Sequence, residues 1–303
     1  MSELVLWNLM RGALTTRALA LAVDLGLPDA LADGPKRIDD DVAYRVLRAL
    51  ASDGVFEEVE PRVFRNNDAS ELLRASGWDD FARLFGGIWL QAIAELNATG
   101  GASFPRVFGA GFWDWLAEHP EERAAFDRSM ATGRERRVER LAGVDWRGDE
   151  LVVDVGGGNG TFLRLLLDRH TGLRGIVFDL PETVPDASTF DNRLEFVAGS
   201  FFESVPGGDV FVLGSILHDW NDEHATKILH TVRASASDDA RLILLEDVID
   251  AGNEPDGAKW LDLLMLTLVD GRERGEAEWR DLLEAGGWRI EHIESGVIEA
   301  RCL

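Results

Sequence analysis

One segment near the middle of the chain constrains the fold more than any other. An apolar run at 151–155 leads directly into the glycine-rich stretch 156–160, and a helical pattern follows over 161–169. A strand that passes through a glycine loop into a helix is typical of an open α/β sheet, where ligands bind at the carboxyl ends of the strands. The spacing is G-x-G-x-G, so it matches neither the G-x-G-x-x-G of dinucleotide sites nor a P-loop.

Two carboxylates accompany this loop. Asp154 directly precedes the glycines, where a negative charge would repel a pyrophosphate but suits a ligand with ammonium and sulfonium groups. Asp179 ends the next apolar run, where a carboxylate can accept hydrogen bonds from ribose hydroxyls. Loop and acid together favour a nucleoside cofactor. The structural alternative is a tight strand-to-helix turn, with Asp179 as a helix cap.

The second half of the chain alternates between apolar runs and helical patterns. Runs this apolar are typical of strands buried on both faces, which predicts a parallel sheet covered by helices. A final pair of runs, joined by Glu294-Ser295-Gly296, predicts an antiparallel hairpin at the end of the sheet. The predicted strands are 151–155, 174–179, 194–198, 209–214 and 241–246, followed by the hairpin strands 288–293 and 297–301.

The first part of the chain predicts a mainly helical winged-helix domain over 1–95, which leaves 96–303 for the ligand-binding domain. Its helix, helix, hairpin order is also that of DNA-binding proteins, but the helix in the recognition position begins Asp39-Asp40-Asp41. Residues 1–95 hold 10 basic and 16 acidic side chains, a net charge of −6, and the whole chain carries −24. This negative charge opposes nucleic-acid binding, so we expect the winged-helix domain to be a packing or dimerisation module instead.

Composition adds two expectations. Cys302 is the single cysteine, so no intramolecular disulfide can form, which fits a reducing cytoplasm. No apolar run reaches membrane-spanning length, and Glu3, Arg11 and Arg17 interrupt the N-terminal apolar stretch, unlike a signal peptide. We therefore expect a cytoplasmic protein without a membrane span.

Six segments of the chain resemble the class I O-methyltransferases of the plant caffeate and bacterial antibiotic-tailoring type. The resemblance runs through nearly the whole chain, in order and with compatible spacing. The segments are FWDWLAEHPEERAAFDRSM at 112–130, DVGGGNG at 154–160, FDLPETV at 178–184, GSFF at 199–202, LHDWNDEHATKIL at 217–229 and DLLMLTLVDGRERGEAEW at 262–279.

This resemblance implies a Rossmann-like methyltransferase sheet with an N-terminal winged-helix dimerisation domain, and hence a homodimer. It implies S-adenosylmethionine as cofactor and methylation of a hydroxyl, mostly phenolic, on a small aromatic metabolite. His218 of the HDW motif would be the general base, oriented by Glu246 and Glu273. The implied cofactor-binding residues are Asp154, Gly156, Gly158, Asp179, Leu180, Ser200, Phe201, Gly214 and Trp220, and the implied acceptor-pocket residues are Phe126, Met130, Asp219 and Met265.

Within the resemblance, plant members carry Asp where this chain has Ser200 and Lys where it has Gly214. Several alternatives stay open. Met130 and Met265 could be core residues, and His218 alone could be structural. A metal site built from His218, Asp219 and Asp222 would fit no standard ligand spacing, so we expect none. Some proteins of this architecture hydroxylate, decarboxylate or cyclise their substrates, and a ligand-sensing winged-helix regulator is the non-enzymatic alternative.

Overall fold

The computed structural model describes residues 2–75, 77–98, 100–181, 183 and 192–303, so Glu182 and Val184 of the FDLPETV segment lie outside it. The chain divides into two compact units, Met1–Thr132 and Gly133–Leu303. This division falls later than the predicted boundary after residue 95. One reason is an ion pair inside the first unit, in which Arg128 donates to the buried carboxylate of Asp80 at 2.7 and 2.9 Å.

The first unit begins with the helix, helix, hairpin order that the sequence predicted. Asp40 starts the fourth helix because its side chain accepts a hydrogen bond from the N–H of Ala43 at 2.8 Å. The three short strands pair antiparallel in the order β1-β3-β2. The elements are α1 Ser2–Met10, α2 Gly12–Asp24, α3 Leu27–Ala30, β1 Lys36–Arg37, α4 Asp41–Ser52, β2 Glu57–Glu60 and β3 Val63–Arg65.

Short helices complete this unit. Gly109 and Gly111 separate two of them, and Pro120 begins the last, because proline is tolerated at the first position of a helix. Aromatic side chains pack edge to face around Phe104, with Phe112 at 5.1 Å and Trp115 at 5.6 Å between ring centroids. The helices are α5 Asp68–Leu72, α6 Trp78–Gly86, α7 Ile88–Ala94, α8 Phe104–Phe108, α9 Phe112–Glu118 and α10 Pro120–Ala131.

The second unit contains a seven-stranded sheet with the strand order β11-β12-β8-β7-β4-β5-β6. Strands β4 to β8 run parallel, and the final hairpin adds antiparallel strands at one edge, which confirms the predicted fold. The elements are α11 Arg134–Arg140, β4 Leu151–Val155, α12 Thr161–Arg169, β5 Arg174–Asp179, β6 Leu194–Ala198, β7 Gly208–Gly214, α13 Asp222–Ser235, β8 Ala236–Leu245, β9 Val248–Ile249, α14 Gly257–Leu268, β10 Arg274–Gly275, α15 Glu276–Ala285, β11 Trp288–Glu294 and β12 Val297–Cys302.

The order of strands fixes where this unit can bind a ligand. From β4 the chain proceeds outward through β5 and β6, then returns to β7 on the other side of β4. The carboxyl ends of β4 and β7 therefore flank a topological switch point, which is the usual ligand crevice of an open α/β sheet. Apolar clusters bury both faces of these strands. Within the described ranges, no helix has the length and apolar character needed to cross a membrane.

Candidate active site

The glycine loop after β4 has a backbone that only glycine adopts without strain. Gly156, Gly158 and Gly160 have φ angles of 74°, 61° and 76°. A Cβ atom at Gly156 would lie 2.4 Å from Cδ1 of Ile216, and one at Gly160 would lie 2.8 Å from the ring of Phe196. The glycines thus allow the loop to lie close to its neighbours while its backbone faces the crevice.

Asp179 joins the loops that follow three adjacent strands. Its carboxylate accepts hydrogen bonds from the N–H groups of Gly158, at 2.8 Å, and Leu180, at 2.7 Å. Its backbone carbonyl accepts from the N–H of Gly199, at 2.9 Å, in the loop after β6. These bonds place the carboxylate where the loops after β4, β5 and β6 meet. The Leu180 side chain is exposed.

Asp154 packs against the glycine loop. The residue is 4% exposed, and a Cβ atom placed on Gly157 would lie 2.5 Å from its Oδ2 atom. Its carboxylate is therefore packed beneath the loop, where its charge acts at short range on whatever occupies the crevice. A direct contact between Asp154 and a ligand stays a prediction.

The loop after β6 carries aromatic side chains toward the segment that follows β7. Trp220 packs edge to face on Phe202, with ring centroids 4.7 Å apart, and lies 6.1 Å from Phe201. The Ser200 hydroxyl accepts a hydrogen bond from the N–H of Phe202 at 3.3 Å, which closes a local turn. Sequence and structure both place aromatic side chains in this loop. The sequence interpretation named Phe201, whereas the ring of Phe202 lies closer to that of Trp220.

His218 lies in a 3-10 turn, Leu217–Asp219, that follows β7. Its side chain is 12% exposed, and its Nδ1 atom lies 2.6 Å from Oε1 of Glu273. Because a carboxylate can only accept in this hydrogen bond, Nδ1 carries the proton. Nε2 is then the atom that can exchange a proton with a ligand, and it lies 3.5 Å from Oδ1 of Asp219.

Glu246 and Glu273 have different hydrogen-bond partners. Glu246 uses Oε1 to accept from the N–H groups of Ile216, at 3.0 Å, and Leu217, at 2.9 Å, so it holds the backbone of the turn. Its Oε2 atom lies 3.8 Å from Nδ1 of His218 and is buried without a hydrogen-bond partner among the described residues. Glu273 alone bonds the ring, whereas the sequence interpretation gave both glutamates the same role.

Long-range pairing brings these groups together. The short strands β9 and β10 pair in parallel, which places the segments containing Glu246 and Glu273 side by side. Arg274, fully buried, donates hydrogen bonds to the carbonyls of Leu217 at 3.1 Å and Trp220 at 2.9 Å, on both sides of His218. Sequence reasoning missed Arg274, although it lies within the GRERG segment that identified Glu273.

The cluster has unusual proton affinity. Burial lowers the pKa of His218, but the charges of Asp219, Glu246 and Glu273 outweigh it and raise this pKa to about 10. Burial raises the pKa of Asp219 to about 6 and that of Glu246 to about 7, against the attraction of the imidazolium. In the protein without ligand, His218 is therefore an imidazolium, protonated on both ring nitrogens, at neutral pH.

The same cluster has the donors of a metal site. One nitrogen of His218 and one oxygen each of Glu246 and Glu273 lie within 4.8 Å of one another. This set differs from the combination weighed in the sequence, since Asp222 instead accepts hydrogen bonds from Arg274 at 2.8 and 3.0 Å. Two of the three donors are committed to hydrogen bonds, which suits proton transfer at least as well as metal binding.

The predicted acceptor-pocket residues lie in both units. Met265, on α14, is 8% exposed, and its carbonyl accepts from the N–H of Gly271 at 3.3 Å. Phe126 and Met130 lie four residues apart on α10 of the first unit, so they share one face of that helix. Phe126 packs edge to face on Trp113 at 5.5 Å. Contact of these side chains with an acceptor stays a prediction.

Comparison with known proteins identifies the family of this chain. The O-methyltransferase domain family matches residues 89–289. The O-methyltransferase SfmM3 of Streptomyces lavendulae is 36% identical, over 95% of each chain. The crystal structure of LaPhzM covers 100% of both chains at 31% identity, with a TM-score of 0.92.

A further solved structure shows ligands in a protein of this fold. It is the O-methyltransferase NcsB1 from neocarzinostatin biosynthesis, in complex with S-adenosylmethionine and 2-hydroxy-5-methyl naphthoic acid. It covers 95% of this chain and 96% of its own at 29% identity, with a TM-score of 0.80. This chain therefore belongs to the O-methyltransferase domain family and is an S-adenosylmethionine-dependent O-methyltransferase.

Proposed function

We propose that this enzyme methylates a phenolic hydroxyl of a small aromatic secondary metabolite, with His218 as general base. The observation that carries this proposal is the buried hydrogen bond between Nδ1 of His218 and Glu273, which leaves Nε2 to take a proton. The position supports it as well. Gly156 of the cofactor loop approaches Ile216, two residues before His218, so the base lies next to the loop.

S-adenosylmethionine, when bound, supplies a methyl group on a positively charged sulfur, which is a good leaving group. The crevice residues fit it. The glycine backbone at Gly156 and Gly158 suits its methionine part, and the carboxylate of Asp179, at the end of β5, suits the ribose hydroxyls. We assign the adenine to the corner formed by Ser200, Phe201 and Trp220, whose aromatic rings offer a stacking surface. We also assign Asp154, Leu180 and Gly214 to the lining of the cofactor site.

Proton transfer explains why acids surround the imidazole. A phenol has a pKa of about 10 and an ordinary histidine about 6.5, so transfer to such a histidine would be uphill by roughly 3–4 units. With the pKa of His218 at about 10, the same transfer becomes nearly balanced. An acceptor that arrives as a phenolate reaches the same state, because it then pairs with the imidazolium already present.

The neighbouring acids have separate roles in this scheme. Glu273 fixes the tautomer and stabilises the imidazolium through its 2.6 Å hydrogen bond. Glu246 is a positioning residue, because its hydrogen bonds go to the backbone of the turn. Asp219 lies on the Nε2 side at 3.5 Å, where it can contact the acceptor. We propose that the cluster works without a metal ion.

The experiment that tests the base compares His218→Ala with the wild type. We expect nearly unchanged binding of S-adenosylhomocysteine by titration calorimetry, together with a rate lower by roughly 10²–10⁴ on a weakly acidic phenol. A phenol already ionised at neutral pH should recover part of the rate, because it needs no base. His292→Ala is the matched control, since that side chain is 57% exposed on the edge strand β11. Full activity of His218→Ala on the weak phenol would refute the base.

The same assay addresses the alternative chemistry. A methyl-transfer enzyme forms one molecule of S-adenosylhomocysteine for each methylated product. Hydroxylation, decarboxylation or cyclisation would consume the acceptor and leave the cofactor unchanged. A panel of phenols that includes a hydroxynaphthoic acid, as bound in NcsB1, is the natural starting set, and we expect Phe126, Met130 and Met265 to line its pocket.

We also propose a homodimer formed through residues 1–95. Helix α1 supports it, because its apolar residues are 57% to 70% exposed, which is costly for a free surface. These residues are Leu4, Val5, Leu6, Trp7, Leu9 and Met10. Analytical ultracentrifugation should give a dimer at micromolar concentration, and Leu6→Glu with Trp7→Glu should shift it toward monomer. A wild-type monomer under these conditions would contradict the proposal.

A further inference from the structure

Arg137 is a half-buried cation with a single hydrogen-bond partner among the described residues. Its guanidinium donates one hydrogen bond, from Nη2 to the Ser215 hydroxyl at 3.0 Å. Among the residues that the structure describes, no carboxylate lies within the 4.0 Å of an ion pair with it. Arg140, one turn later on the same helix, differs, because it donates to the carbonyls of Glu246, Ser295 and Gly296 and so has a structural role.

The guanidinium lies at the topological switch point. Ser215 directly follows β7, and the residue after it, Ile216, packs against Gly156 of the cofactor loop. A Cβ atom on Gly214 would lie 3.9 Å from Nη1 of Arg137. The cation therefore lies beside residue 214, at the carboxyl end of β7.

The environment of Arg137 only partly favours its charged form. Burial lowers its pKa, and the more distant carboxylates of Glu246, Asp154 and Asp247 raise it in part. An arginine keeps its charge in such a setting, and its remaining N–H donors are open to a ligand acceptor because none of them is buried from solvent. S-adenosylmethionine carries two positive groups, the ammonium and the sulfonium, and a single anionic one, its carboxylate. Only the carboxylate can approach a guanidinium favourably, and two parallel hydrogen bonds suit that pair.

We propose that Arg137 binds the carboxylate of the methionine part of S-adenosylmethionine. The cation comes from helix α11 and lies beside Gly214, at the end of β7. Ser215 holds the guanidinium in place, with its backbone at a φ of 56°. This inference rests on the cofactor of the proposed function, but it is independent of the base chemistry at His218.

Titration calorimetry with two ligands tests it. S-adenosylhomocysteine has the carboxylate, whereas 5′-methylthioadenosine keeps the nucleoside and sulfur but lacks the amino-acid part. We expect Arg137→Gln to weaken S-adenosylhomocysteine about 10- to 100-fold, the usual loss for a hydrogen bond to a charged group, and to leave 5′-methylthioadenosine nearly unchanged. Arg136→Gln is the matched control, because Arg136 is the exposed neighbour on the same helix.

Two further measurements keep the proposal open to refutation. Arg137→Lys retains the charge and should lose less affinity than Arg137→Gln. If the Gln variant does not fold, wild-type binding of decarboxylated S-adenosylmethionine replaces it, and we expect at least a tenfold weaker affinity than for the intact cofactor. Equal losses for both ligands in Arg137→Gln, or no loss for either, overturn the assignment. Failure of wild type to bind either ligand overturns the cofactor site itself, whereas loss of turnover with this binding pattern intact concerns only His218.

Discussion

The hydrogen bond between Glu273 and His218 offers the sharpest test of the electrostatics in this site. Glu273→Gln keeps the shape of the side chain and an oxygen that can still accept from Nδ1, but removes one negative charge. Glu246 and Asp219 stay in place, with oxygens 3.8 and 3.5 Å from the ring nitrogens. The variant therefore isolates the charge of Glu273 from its geometry.

The size of the effect follows from Coulomb's law. Two unit charges about 4 Å apart interact by about 4 kcal/mol at an effective dielectric constant of about 20. That energy corresponds to about 3 pKa units. Because Asp219 and Glu246 make larger contributions and stay in place, this figure is an upper bound, and the pKa of His218, about 10 in the wild type, should fall by up to about 3 units in Glu273→Gln.

The pH dependence of kcat/KM reports this pKa, because it reflects the ionisation of the free enzyme. Neutral imidazole is the base, so kcat/KM should rise with pH through the pKa of His218, toward pH 10 in the wild type and up to about 3 units lower in Glu273→Gln. Above both values the variant should be slower, since its imidazolium has lost its stabilising charge. NMR titration of the His218 ring protons measures the same shift directly.

Glu276→Gln is the control, because Glu276 is an exposed glutamate three residues further along, paired only with Arg280 on the surface. Its pH profile should match that of the wild type. An inflection in Glu273→Gln that stays at the wild-type pH, or moves upward, would refute the claim that Glu273 raises the basicity of His218.

Three further outcomes are expected. Asp179→Ala should weaken S-adenosylhomocysteine binding by about 1.5–3 kcal/mol in titration calorimetry, because ribose hydroxyls lose a charged acceptor, and unchanged affinity would contradict the ribose assignment. Gly156→Ala should lower the thermal midpoint and the cofactor affinity together, because alanine at a φ of 74° costs about 1–2 kcal/mol and its Cβ meets Ile216. Dialysis against a chelator should leave the methylation rate unchanged, and a loss restored by one divalent metal would show that His218, Glu246 and Glu273 hold that metal.

The sequence by itself determined the architecture of the catalytic unit. The apolar runs at 151–155, 174–179 and 194–198 became β4, β5 and β6 with the predicted bounds. For β4 and β5 the reason is that a strand buried on both faces needs a continuous apolar run, whereas β6 is a partly exposed edge strand. The glycine loop was equally readable, since only glycine fits the positive φ angles there. These features depend on local sequence, which the pattern of residues records directly.

Only the tertiary structure decided how the catalytic groups share their work. Glu246 and Glu273 are the same residue type in similar settings of the sequence, yet one caps a backbone turn and the other bonds the imidazole. Arg137 stands in a run of charged residues where nothing local distinguishes it from Arg136. Such roles depend on contacts between segments far apart in the chain, and on the desolvation that those contacts impose. The pKa of about 10 for His218 arises from that environment, because the adjacent Asp219 supplies part of the shift and Glu246 and Glu273, distant in the sequence, supply the rest.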